Sequence, residues 1–182
     1  MTYTGHVVPG GPTDMRVLGR ATIRKMSVSE MHNNVYLVTC TATGEQLLID
    51  AADDAHRCLG LVREGTGRLD HLVTTHQHWD HVRALAEVAR ATGATTYAGA
   101  DDADALPHAP DVRLGHGDVV TVGELELDGR IGRLELRDLA IRLDCLRGGG
   151  LDLRGRGGDL ALVGRADRIR DQIGRARSRA RV

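Results

Sequence analysis

Phenylalanine is absent from the 182 residues, and all aromatics together make up 2%. The core must therefore be built from Leu, Val, Ile and Ala. Cysteine is scarce too. Cys40, Cys58 and Cys145 are isolated and odd in number. They suggest neither a disulfide framework nor a Cys-rich zinc site, and they fit a reducing cytoplasm. No run approaches the roughly 18 apolar residues of a membrane helix. Residues 1–14 contain no apolar stretch of the signal-peptide kind. The expectation is a cytoplasmic protein with no membrane partner. Lysine occurs once, at Lys25, against 23 arginines.

What remains is ordinary for a globular domain: 41% hydrophobic and 27% charged residues, in a chain long enough for one core. The net charge of −1 is unevenly spread. Residues 1–128 hold 10 of the 24 basic and 18 of the 25 acidic residues; residues 129–182 hold 14 Arg against 7 acids. A basic tail can mark nucleic-acid contact. This one has no aromatic residue for stacking and interleaves Arg with Asp and Gly, so no nucleic-acid partner is expected.

The pattern of the first two thirds predicts an α/β order. Residues 1–14 read as a loose leader rich in Gly and Pro. Met15 to Val28 alternates as a strand, Val35–Cys40 and Gln46–Asp50 form a hairpin across Thr43-Gly44-Glu45, and Leu69–Thr75 is a further strand. Between them Ala55, Cys58, Leu59 and Val62 make one face of a helix ended by Gly65 and Gly67. Strand, helix, strand implies parallel pairing. Val82, Leu85, Ala86 and Ala89 predict a second helix stopped at Gly93, with Arg83, Glu87 and Arg90 paired along its outer side. Thr95–Ala98 is a short strand, residues 101–110 a surface loop or short helix, and Val119–Val122 with Glu124–Leu127 a hairpin through Gly123.

The chemistry concentrates in Thr75-His76-Gln77-His78-Trp79-Asp80-His81. Three imidazoles and a carboxylate fall within six residues, between a strand and a helix. His76 and His78, two apart, leave an extended backbone on one side. Asp80 and His81 come where the helix begins. Imidazole and carboxylate are zinc ligands, so His76, His78, Asp80 and His81 are the candidate metal set. His116, in a Gly-flanked turn, reads as a surface residue, and His71 as an ordinary strand residue. Trp79 is placed either to line a substrate mouth or to pack the loop.

This H-x-H-x-D-H run resembles the motif of the metallo-β-lactamase superfamily, and within it the glyoxalase II-like hydrolases. Asn34-Val35-Tyr36-Leu37-Val38, Leu47-Leu48-Ile49-Asp50 and Gly117-Asp118 with the following hairpin extend the resemblance over about residues 15–128. The resemblance implies an α/β fold of the αβ/βα sandwich type. It implies two Zn²⁺ ions, about 3.5–4 Å apart. His76 and His78 would hold one and Asp80 and His81 the other. A hydroxide shared by the metals would attack an ester, thioester or amide carbonyl of a small substrate, with Asp80 the catalytic residue that holds it or moves its proton. Asp50 would buttress the site; on sequence alone it is equally a strand-end turn residue. An alternative that the resemblance leaves open keeps the fold but uses one iron for oxygen chemistry, as some relatives do; His and Asp donors suit Fe and Mn as well as Zn.

The family's later ligands are a His in a Gly-His-Thr-Pro-Gly-like turn, a bridging Asp and a final His. This sequence has no histidine after His116 and no proline after Pro110. Asp159 is the one counterpart for the bridging Asp. Of residues 129–182, 39 of 54 are Arg, Gly, Leu or Asp. The single domain of 1–182 thus divides into a leader (1–14), a family-like part (15–128) and an atypical Arg/Gly/Leu/Asp-rich tail (129–182), with a divergent or incomplete C-terminal half. Such a composition suits a GC-rich gene read out of frame from about Gly129. The alternative function is then a truncated or frame-disrupted, non-catalytic remnant. A first half standing alone would leave one sheet face partly uncovered, and so favour a homo-oligomer.

Overall fold

A computed structural model describes residues 3–129, 141–145, 150–156 and 159–164, with side chains through Leu127. The first sheet has seven strands in chain order: β1 (Asp14–Leu18), β2 (Ala21–Val28), β3 (Asn33–Cys40), β4 (Gln46–Ile49), β5 (His71–Thr74), β6 (Thr95–Gly99) and β7 (Val112–Leu114). Its first half is antiparallel. From β4 onward the pairing is parallel, as the intervening helices α1 (Ala55–Glu64) and α2 (Leu85–Thr92) require. A second, antiparallel sheet follows as a meander: β8 (Val119–Val122), β9 (Leu125–Gly129), β10 (Ile141–Cys145), β11 (Gly150–Arg156) and β12 (Asp159–Gly164).

Strand alternation sorts the core into two layers. Leu48 of β4 points with Val35, Leu37 and Met26 toward Cys58, Leu61 and Val62 of α1 and Leu85 and Val88 of α2. Its neighbours Leu47 and Ile49 point the other way, where Ile23, Val38 and Val73 meet Val120, Val122, Leu125 and Leu127 of the second sheet. The face opposite the helices is therefore covered in part by β8 and β9. Gly123, at the β8–β9 turn, is needed there. Its φ is +58°, and a Cβ would stand 2.0 Å from Thr43 Oγ1. Its N–H donates to Glu45 Oε2 at 3.0 Å, tying that turn to the first sheet.

Several elements differ from the sequence reading. The stretch 15–28 is two strands, because the chain reverses between Leu18 and Ala21. The leader is not loose where described. Asp14 accepts from the N–H groups of Thr4 and Gly5, and Lys25 Nζ donates to Gly5 O. α1 buries Leu61 rather than Leu59, which is only partly covered. α2 begins at Leu85; a 3₁₀ turn over Trp79–His81 precedes it. Arg83 therefore pairs away from the helix, with Asp53 and Glu30, and Arg90 caps its own turn at Ala86 O. β7 lies in a stretch that the sequence pattern leaves unassigned. In the tail, apolar residues alternate at Leu134/Leu136 and at Leu139/Ile141/Leu143, a pattern that could make strands; Leu134, Leu136 and Leu139 lie outside the described residues, and Ile141 and Leu143 fall in β10. Cys40 and Cys58 are buried and unbridged, and burial, aided by Asp54 and Asp53, pushes the Cys58 thiol up to about 12. Among the described residues, no helix is long and apolar enough to cross a membrane.

Candidate metal centre

Topology brings the site together. β4, β5 and β6 run parallel, so their C-terminal ends share one edge of the sheet. β3 is antiparallel to β4, so its first residue, Asn33, reaches the same edge. Asp50 follows β4, residues 75–81 follow β5, and Asp102 follows β6. Ligand sites in open parallel sheets lie at such carboxyl ends.

Asp50 is buried and holds a left-handed backbone, φ 58°. Its Oδ1 accepts the Thr75 N–H at 2.7 Å, and its Oδ2 accepts the Thr75 hydroxyl at 2.6 Å. The same Oδ2 lies 3.0 Å from His81 Nδ1. Beyond Thr75 the chain leaves β5, and the Gln77 N–H is held by Asp102 Oδ1 at 3.0 Å. The His76 ring lies 4.7 Å, centroid to centroid, from His78 and 4.1 Å from His81. Asp80 Oδ2 stands 3.7 Å from His81 Nε2. One donor atom each from Asp50, His76 and His81 falls within 4.8 Å of the others. Asp50, His76 and His81 thus form one group of converging donor atoms; His78, exposed, adjoins it through its ring contact with His76, and Asp80 through its approach to His81.

Burial and charge tune the groups differently. Burial, then the neighbouring His81, lowers the His76 pKa against the opposing pull of Asp50. At His81 burial also disfavours the charged form, but the hydrogen bond and charge of Asp50 outweigh it, and the pKa is raised. Burial would raise Asp80, yet the Asn33 amide and the two imidazoles win and hold it below the usual carboxylate range.

This donor set fits a divalent cation. Imidazole nitrogens and a carboxylate are the ligands zinc takes. His81 has Nδ1 engaged by Asp50 and His76 has Nδ1 at 2.9 Å from the Thr75 hydroxyl, so each keeps Nε2 for a further partner. Asp50 is the less suited ligand, since both its oxygens already accept hydrogen bonds.

The sequence reading gave no role to Thr75 or Asn33. Thr75 was visible as the residue before His76, and Asn33 as one of an Asn pair opening a strand. Neither has a spacing that announces its contacts. His116 is exposed, and His71 meets Tyr97 Oη at 3.2 Å on the sheet face, away from the motif. Trp79 is 59% exposed, with the Arg83 guanidinium 4.1 Å over its ring. Asp159 opens β12 opposite Arg156, and its side chain lies outside the described residues.

The model of the metallo-beta-lactamase superfamily matches residues 28–145. The chain belongs to this superfamily. A hydroxyacylglutathione hydrolase of Rhodopseudomonas palustris is 37% identical over 114 residues, which is 63% of this chain and 40% of that one. A protein of the same name from Jannaschia sp. is 36% identical over 96 residues, 53% of this chain and 37% of its own length. The chain thus spans about two fifths of the length of these relatives. Among solved structures, ETHE1 from Myxococcus xanthus is 32% identical, with a TM-score of 0.51, over 58% of this chain and 46% of that one. A beta-lactamase from Chitinophaga pinensis shares the fold, with a TM-score of 0.59 at 18% identity, over 76% of this chain and 60% of that one. The αβ/βα sandwich expected from the motif is the superfamily's fold.

Proposed function

We propose that the chain is built as a metal-dependent hydrolase of small carbonyl substrates, with His76, His78, Asp80 and His81 as its metal ligands. The observation that supports this is the gathering of His76 and His81 with Asp50 at the carboxyl edge of the sheet, His78 and Asp80 lying beside them. Zinc is the preferred ion, and Fe or Mn would accept the same donors. Bound there, zinc would supply a nucleophile at neutral pH and stabilise a developing oxyanion. The protein's part is to orient His76 and His81 through their Nδ1 atoms and to keep Asp80 ionised as the proton-holding group. The names of the curated relatives make a glutathione thioester the first substrate to try. The full chain, loaded with zinc, should hydrolyse such a thioester within a panel that includes lactones and β-lactams. Asp80→Ala should abolish that turnover. Stoichiometric zinc with no hydrolysis of any substrate would overturn the proposal.

A second reading is favoured by one observation: the sequence has no histidine after His116. His76 and His78 would give one metal two protein ligands, and Asp80 and His81 the other two, where catalytic zinc takes at least three. On this reading the chain is a non-catalytic remnant, disrupted in frame from about Gly129. Translating the other frames of the resequenced locus tests it. A His-Thr-Pro-Gly-like turn in one of them supports the disruption, and its absence from all frames removes it.

A further inference from the structure

Asp50 touches His81 directly but does not touch His76. Between Asp50 and His76 stands a single hydroxyl. Thr75 Oγ1 is 2.6 Å from Asp50 Oδ2 and 2.9 Å from His76 Nδ1, in a buried position. A hydroxyl has one proton to donate, and an ionised carboxylate can only accept. The short contact to Asp50 therefore takes the Thr75 proton. Oγ1 is left with lone pairs alone toward His76, so Nδ1 of that ring must carry its proton, and Nε2 must carry the lone pair. The geometry assigns Thr75 as a positioning residue: its hydroxyl passes the acceptor character of Asp50 to His76 and fixes the Nδ1–H tautomer. One buried carboxylate thereby orients two imidazoles, His81 by direct contact and His76 through the relay.

The Thr75 backbone serves the same end. Its N–H donates to Asp50 Oδ1 at 2.7 Å, leaving Oδ2 to receive both the hydroxyl and His81. A side chain without the hydroxyl would keep this bond and lose the relay alone, so the two can be separated by mutation. The inference deepens the metal-centre reading and rests on it for its purpose, since a fixed Nε2 lone pair is what a metal would use.

The test compares the full chain with Thr75→Val, which keeps the branched shape without the hydroxyl, and Thr75→Ser, which keeps the hydroxyl without the methyl. Imidazole ¹⁵N shifts of the metal-free proteins report the His76 tautomer, and competition with a chelator reports zinc affinity. The parent and Thr75→Ser should show His76 as Nδ1–H and bind zinc alike. Thr75→Val should lose the single tautomer and bind zinc about 10–100-fold more weakly, the usual effect of removing a group that orients a ligand. Thr75→Ala takes its place if the valine variant does not fold. An unchanged Nδ1–H signal in the hydroxyl-free variant would overturn the relay, as would unchanged zinc affinity there. Failure of the parent to bind zinc would instead remove the metal-centre reading, and the tautomer signal would still decide the relay.

Discussion

The side-chain amide of Asn33 lies 2.9 Å from Asp80 Oδ2 and 3.0 Å from the Asp80 carbonyl oxygen. One nitrogen at the start of β3 therefore fixes both the side chain and the backbone of a residue in the 3₁₀ turn, 47 positions later. Asn33 is itself buried, and the contact is part-buried.

Asn33→Ala should therefore weaken zinc binding by about 10–100-fold, as loss of an orienting partner does. In an Asp80→Ala background the same change should add little, because the group it orients is gone. Chelator competition on the four proteins of this double-mutant cycle measures both. Additive losses would show that Asn33 acts on something other than Asp80.

A second prediction concerns the frame that carries the site. Gln46 is fully buried and uses its whole amide. Oε1 accepts from Thr39 Oγ1 and the Thr66 N–H, and Nε2 donates to the carbonyls of Val62 and Arg68. It joins β3 and β4 to the end of α1, and Gly65 has room for no Cβ because that atom would stand 1.7 Å from Gln46 Oε1. Gln46→Leu keeps the volume and orphans these groups, so it should cost about 2–3 kcal/mol, roughly 5–10 °C of melting midpoint. A shift within error in a thermal melt would contradict the network's role.

The pH dependence of metal uptake has a sign. A raised pKa at His81 means that a proton competes for that ring at higher pH than for an ordinary imidazole. His76, with its pKa lowered, stays neutral further down. A protonated imidazole cannot bind metal. Zinc occupancy should therefore begin to fall above about 6.5, the usual imidazole value, with His81 protonating first. Zinc content after dialysis at a series of pH values, with imidazole NMR to identify the ring, checks this. Full retention well below that range would contradict it.

Much of the fold was legible because its elements announce themselves by period. β4 and β5 are short apolar runs on either side of a helical stripe, and βαβ pairing follows from that order. The motif was legible because four metal-ligating residues, three His and one Asp, within six positions are rare by chance. What escaped was set by tertiary contact. The strand reversal at Gly19-Arg20 has no strong turn dipeptide. Arg83 looked like a helix-surface residue, yet the 3₁₀ turn aims it at Asp53. Thr75 and Asn33 are polar residues of ordinary spacing, and their partners lie 25 and 47 positions away in sequence. Sequence alone leaves Asp50 even between turn and buttress; its contacts to the Thr75 N–H, the Thr75 hydroxyl and His81 decide for the buttress.

Zinc stoichiometry after dialysis near neutral pH tests the metal centre most directly, on the parent, the His76→Ala/His78→Ala double variant and His116→Ala. The account predicts zinc in the parent, none in the double variant and nearly the parent's amount in His116→Ala. Equal zinc in the parent and the double variant would contradict it, and a large loss on changing His116 alone would move a ligand to that exposed turn.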